Sequence, residues 1–376
     1  MNTHVCLSPN GVDIYRLDAP PRGVLVGTMD GVIELRGAPT DTEWSVVNHT
    51  LDGLHVSSVM RDPTRGSVFA GVHGEGLHRS LDGGSTWETS MRGLSVPHVF
   101  SVACDARDGA GTLYAGTEPA HVFRSNDGGD SWHDLEALRR VDGQDKWWFP
   151  APPHTPHVKN ISVDPRDGRV LYVCVEQGAL LKSVDGGNRF EQLFFEDAGC
   201  RYNNDAHRVV FNPRNPDEIY LTGGDGVFKS PDGGKTWQHL ATPTMRVAYP
   251  DQVYVAPDDA STLFTFGGGT PPNIWRATGN ATSTVVRSRD GGATWDQIGG
   301  PIMSSLPGNL EAATMVSWPG GYGFFAGSTD GEVFFSNDRG ATFARIAQGI
   351  PPVSKCVHYS NLAKGRAAVA AAQQGA

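Results

Sequence analysis

Three histidines stand at the same distance before the same kind of turn. His55, His98 and His157 each lie seven residues ahead of an aspartate that ends a strand-like run: Asp62, Asp105 and Asp164. In a fourth segment Asp205 takes that register, and His207 follows two residues later on the same strand face. A fifth segment offers Tyr249 and Asp251, a sixth Glu311, and a closing segment Lys355 and His358. The chain holds only 13 His, so three at one register is more than chance placement gives. Imidazole is the commonest nitrogen ligand for divalent transition metals. The pattern therefore predicts a metal centre of His55, His98, His157 and His207, taking Zn, Mn, Fe, Cu or Ni. Neutral imidazole is required, so binding would weaken as pH falls through roughly 6. Asp251, Glu311 and His358 are expected as general acids or bases. Lys159, Lys355 and Arg276 would hold an anionic group, with Trp147 and Trp148 covering the substrate. Taken singly, each histidine is equally suited to capping a strand or holding ordered water.

What must position these residues is a repeat. A motif whose common form is S-x-D-x-G-x-T-[WF] starts at Ser80, Ser125, Ser183, Ser230, Ser288 and Ser336, with its aspartates at 82, 127, 185, 232, 290 and 338 and with Ser131 and Arg189 in place of the Thr in the second and third copies. Steps of 45, 58, 47, 58 and 48 residues between those aspartates, with short strands, mean a radial or solenoid array. The Asp side chain can accept backbone N–H groups two or three residues on, and Gly supplies positive φ. The closing Trp or Phe anchors the next strand. Before each box two strands form a hairpin, as in Val68-Phe69-Ala70-Gly71 ahead of Gly76-Leu77-His78-Arg79. Val24 to Leu35 with Trp44 reads as a seventh unit whose box has decayed. A further strand ending in a turn such as Asp62-Pro63 makes four strands per unit, the propeller blade.

These stretches resemble Asp-box (BNR) repeats, which occur in sialidases, xyloglucan-degrading glycosidases, sortilin-type receptors and photosystem-assembly propellers. The resemblance implies an all-β, seven-bladed β-propeller with box hairpins between the outer strands of the blades. It also implies that the boxes staple the fold away from any active site. Sialidases grip a carboxylate with three Arg and use a Tyr/Glu pair. Arg246 and Arg276 form no such triad, and the family's N-terminal Arg-Ile-Pro signature is absent. Residues 1–362 are expected to form one propeller closed by N- and C-terminal strands, the latter near Ser354 to Tyr359, with a flexible tail over 363–376.

Two insertions break the period: Glu136 to Pro156, with Trp147, Trp148, Phe149 and His154, and Phe266 to Thr284, with Trp275 and Arg276. Strand order sends both to the face opposite the boxes, and long loops on a compact repeat commonly carry function. A net charge of −10 argues against nucleic acid or an anionic membrane as partner. Five Cys without motif spacing, and no basic-then-apolar N-terminus, point to a reducing, cytoplasmic setting. The main expectation is a metal-dependent lyase, hydrolase or oxygenase acting on a small polar or anionic substrate at the channel mouth. One alternative is a carbohydrate-active hydrolase with paired carboxylates drawn from Asp205, Asp251 and Glu311. The other is a non-catalytic binding or assembly module.

Overall fold

A computed structural model of the chain describes residues 4–12, 14–107, 109, 111–195, 205–240, 242 and 244–356. Its strands form seven sheets arranged as blades around a central channel. Blade 2 is representative: Val56–Arg61, Val68–Val72, Gly76–Ser80 and Glu88–Thr89, each antiparallel to the last. The inner strands of blades 3 to 7 are Val99–Cys104, His157–Val163, Ala206–Asn212, Tyr249–Val255 and Leu310–Trp318. Inner and second strands are buried almost throughout, because both faces of each sheet pack on neighbouring blades. A small residue late in the second strand permits that approach. A Cβ on Gly116 would lie 2.5 Å from the Val158 side chain of the next blade.

The six hairpin motifs share one geometry. In the first, Asp82 Oδ1 accepts the amides of Ser85 and Thr86, and Oδ2 accepts the Thr86 hydroxyl. The amides lie three and four residues on, one further than the sequence suggests. Ser80 Oγ accepts the Gly84 amide, and Gly83 and Gly84 adopt φ of 81° and 99°. The closing Trp87 then donates Nε1 to Thr50 of the preceding blade, so the tip staples two blades.

The ring closes differently from expectation. His4–Leu7 supplies the inner strand of blade 1, pairing in parallel with Gly23–Gly27. The chain then crosses one end of the channel, and Ile14–Arg16 adds in parallel to Leu310–Trp318 of blade 7. Ser354–Cys356 form no strand. They follow a strap in which Pro352 accepts the Met29 amide and Val353 donates to Ser328, bridging blades 1 and 7. His358 and the tail over 363–376 lie outside the described residues.

One irregularity recurs in every inner strand from blade 2 to blade 7. The register slips after its start, between Val56 and Ser58, Val99 and Ser101, Val158 and Asn160, Ala206 and Arg208, Pro250 and Gln252, and Leu310 and Ala312. The extra residues are Ser57, Phe100, Lys159, His207, Asp251 and Glu311. A bulge of this kind re-aims one side chain without shifting the rest of the strand. In five of the six blades the extra residue is polar, and these add a second tier of polar groups around the channel beside the tier of His55, His98, His157 and Asp205; in blade 3 it is Phe100.

Candidate functional site

The second tier forms a buried ionic network. Lys159 Nζ lies 3.2 Å from Glu176 Oε1 and 2.9 Å from Asp251 Oδ1. Lys355, delivered by the closing strap, lies 2.9 Å from the same Asp251 oxygen and 3.5 Å from Glu176. Glu311 accepts the Ser354 hydroxyl and the Lys355 amide, at 2.8 and 2.9 Å. Asn309 Nδ2 bridges Asp251 and Glu311 at 3.4 and 3.5 Å. Burial pushes all three carboxyls up, but two ammonium groups reverse this for two of them. Lys159 and Lys355 hold Glu176 and Asp251 well below the usual carboxylate range. For Glu311 burial wins over Lys355, and its carboxyl is pushed up to about 7.

Above the network lies the first tier. His157 donates Nε2–H to Glu176 Oε2, 2.8 Å away, and its Nδ1 lies 3.5 Å from Glu118. His207 bonds the Pro250 carbonyl at 2.8 Å and Asp205 at 3.2 Å. His55 bonds the Ser354 carbonyl and stacks on His73 at 4.1 Å. Phe100 stacks on His157 at 3.8 Å and also packs on His73. Burial, then the neighbouring imidazoles, drives the His73 pKa down to about 2, so the stack is neutral.

The four expected metal ligands therefore do not share a centre. His55 is held by the closing strap, His157 by Glu176 of its own blade and His207 by Pro250 of the next; His98 is exposed and meets His73 edge-on at 6.4 Å, and Phe100 packs on both His73 and His157. Among the described residues, the group of His, Cys, Asp and Glu whose ligand atoms lie within 4.8 Å of one another is Glu176, Asp205 and His207. His98 and His55 are not in it. Lys159 and Lys355 hold the protein's own carboxylates rather than a substrate anion. Asp251 and Glu311 lie in the network beneath the cavities, 2% and 0% exposed.

Both insertions do fold over this end of the channel, opposite the boxes. The first contains short 3-10 turns at Glu136–Arg140 and Gln144–Lys146. Trp147 packs into the blade 4 core against Gly178, so it anchors the loop instead of covering a substrate. Trp148 is 54% exposed and stacks on His154 at 4.8 Å. The second insertion carries the helix Pro272–Thr278, started by proline at its first turn and stopped by Gly279 at φ 70°. Its buried Trp275 packs edge-on against Tyr249 at 5.4 Å. Between the insertions is a cavity of 410 Å³ lined by Glu176, Asp205 and Tyr249 below, and by Trp148, Phe149 and Arg276 above. A smaller chamber of 130 Å³ beside it contains His55, His73, Glu118 and His157 and shares Glu176 and Phe149.

Glu176, Glu118 and the inward place of His73 escape a reading of inner strands alone. His73 reads from sequence as surface or inter-blade, yet it stacks in the channel mouth. The signal is in the pairing. The second strand ends directly opposite the start of the first, so Glu176 faces His157, while the His73 and Glu118 amides bond the His55 and His98 carbonyls.

No family model matches the chain. Curated relatives are xyloglucanases: one from Hypocrea jecorina (strain QM6a) is 27% identical over 59% of this chain and 30% of its own length. One from Paenibacillus sp is 26% identical over 50% of this chain and 21% of its own length. The chain thus spans under a third of the curated relatives it matches. Among solved structures, an ancestral GH74 enzyme superposes with TM-score 0.59 and 18% identity over 78% of this chain and 38% of that one. YCF48 bound to D1 peptide superposes with TM-score 0.54 and 16% identity over 91% of this chain and 96% of that one. The chain is a seven-bladed β-propeller with xyloglucanase homologues. These relatives overturn the expectation of a metal-dependent enzyme acting on a small anionic substrate: they are named for hydrolysis of a carbohydrate, and the four-imidazole centre behind that expectation is not assembled.

Proposed function

We propose that the chain is a carbohydrate-active hydrolase, with its six hairpins acting as Asp boxes that brace the ring. The observation that carries this is one cavity with two buried carboxylates, Glu176 and Asp205, beneath an aromatic roof. Their nearest oxygens lie within 4.8 Å. Carboxyl groups about 5–5.5 Å apart suit a retaining glycosidase, in which one attacks the sugar and the other transfers the proton. Glu176 is the attacking carboxylate, because two ammonium groups keep it ionised at neutral pH. Asp205, oriented by His207, is the proton donor to the leaving oxygen. Tyr249 donates its hydroxyl to Glu176 from 3.4 Å and steadies the attacking oxygen. A pyranose ring would lie on the exposed face of Trp148, with Arg276 at the far wall.

The test is release of reducing ends from xyloglucan and a panel of other glycans, with a chelator present throughout. Cleavage that is abolished in Glu176→Gln and Asp205→Asn, both still folded by circular dichroism, is the expected result. A panel with neither cleavage nor binding by the intact chain would overturn it. The correspondence with nearly the whole of YCF48 favours a second reading, a peptide-binding module. Folded, peptide-binding protein indifferent to Glu176→Gln would support that reading.

A further inference from the structure

The aromatic roof of the larger cavity is held by something other than secondary structure. Residues 148–154 read Trp-Phe-Pro-Ala-Pro-Pro-His. Pro150, Pro152 and Pro153 carry no N–H, so no helix turn or strand ladder runs through the segment. Its closure falls to His154. The His154 amide donates to the Ala151 carbonyl at 2.8 Å, and the His154 carbonyl accepts the Phe149 amide at 3.3 Å. The imidazole donates Nδ1–H to the Phe149 carbonyl at 2.9 Å. Its ring lies against Trp148, with centroids 4.8 Å apart and planes 10° from parallel. These contacts place the His154 backbone at φ 68°, a left-handed conformation uncommon for a residue with a Cβ. His154 is exposed and lines neither cavity, so burial does not account for it. Of the two residues it holds, Trp148 lines the larger cavity. Phe149 lines both and packs edge-on against His157 at 4.9 Å.

We propose that His154 is the positioning residue of this roof. It fixes the Trp148 ring as the surface on which a pyranose lies, and Phe149 as the wall that keeps sugar out of the smaller chamber. The inference rests on the hydrolase reading of the same cavity. An exposed tryptophan without a neighbour turns about both side-chain torsions, and substrate would have to arrest that motion on binding. Trp148, stacked on one face by His154, has given up that freedom before substrate arrives and presents its other face. The effect falls on affinity and not on the chemical step, because other residues hold Glu176 and Asp205.

Two measurements on the full chain test this, and the first needs no glycan. With 5-fluorotryptophan in place of its nine tryptophans, the Trp148 fluorine resonance is the one missing from Trp148→Phe. His154→Gly keeps the left-handed backbone and removes the ring and its donor. It should move the Trp148 resonance towards that of free 5-fluorotryptophan and leave the others in place. The second measurement is kinetic, on the glycan of the panel that is cleaved fastest. His154→Gly should raise KM about threefold at unchanged kcat, within what one aromatic pair supplies. The same substitution made in Trp148→Ala should add nothing, because its effect passes through that ring. A Trp148 resonance that stays in place in His154→Gly overturns the proposal. So does a fall in kcat at unchanged KM, or a full threefold effect in the Trp148→Ala background. If the intact chain neither binds nor cleaves any glycan, the hydrolase reading fails, and the fluorine comparison alone decides whether His154 sets the Trp148 ring.

Discussion

The two ends of the channel are built from the same inner strands, yet they are chemically opposite. At the strand starts stand His157, Asp205 and Tyr249, with the bulge residues Lys159, His207, Asp251 and Glu311 just inside. At the strand ends stand Ile161, Val210 and Met315, with Arg208 between the two regions. The bulge accounts for the difference. It adds one residue near the start of the inner strand in blades 2 to 7, polar in five of them and Phe100 in blade 3, and the regular alternation beyond it returns apolar groups to the walls. The connections differ too. At the starts they carry both long insertions and the strap that delivers Lys355. At the ends they are tight turns, closed by one crossing of the N-terminal segment. The lesson is that in a repeat fold chemistry concentrates where the repeat is interrupted.

The largest effect expected from this contrast is on turnover. Glu176→Gln should lower glycan hydrolysis on the order of 10³-fold, as loss of an attacking group does. Ile14→Trp at the opposite mouth should leave it within about twofold, measured as initial rates of reducing-end release. Equal losses would erase the distinction between the two ends. Next is stability. Lys355→Met leaves Asp251 and Glu176 with one ammonium fewer in a buried network, and should cost about 3–5 kcal/mol in urea unfolding. Arg16→Gln, exposed at the other mouth, should stay within about 0.5 kcal/mol.

A smaller effect separates the two tryptophans of the first insertion. Trp148→Ala should raise KM about three- to tenfold with little change in kcat, because an exposed aromatic face contributes about 0.5–1.5 kcal/mol to stacking. The smallest is a pH effect internal to the network. Glu311 has a folded pKa raised to about 7, so its contribution is present below its ordinary value of 4.5 and is lost as pH rises towards 7. Glu176 and Asp251 are depressed, so their contributions are present above their ordinary values and are lost as pH falls. Melting temperature should therefore peak between these limits, and Glu311→Gln should flatten the fall on the neutral side alone.

The architecture was legible because its signals are local. Each Ser-x-Asp-x-Gly tip names its own turn, and the register of His55, His98 and His157 marks where inner strands begin. The two insertions were legible as breaks in the period, and both do roof one mouth. The site itself was less so. Glu176 lies on a second strand, and nothing near it in sequence signals that antiparallel pairing sets it against His157. The bulge, which turns Lys159 towards Asp251 about ninety residues away, is a property of the folded sheet. Three histidines at one register were correctly placed around the channel. The rings of His55 and His157 are nonetheless committed to Ser354 and Glu176, that of His98 is exposed and meets His73 only edge-on, and a register carries no information on which way a ring turns.

The account rests on Glu176 and Asp205 acting as a close pair on a glycosidic bond. Proton NMR of the first product formed from a defined oligosaccharide tests this most directly. Carboxylates this near each other predict that the newly released reducing end keeps the anomeric configuration of the bond that was cut. An inverted anomer from the intact chain, or the same product released undiminished by Glu176→Gln, would contradict it.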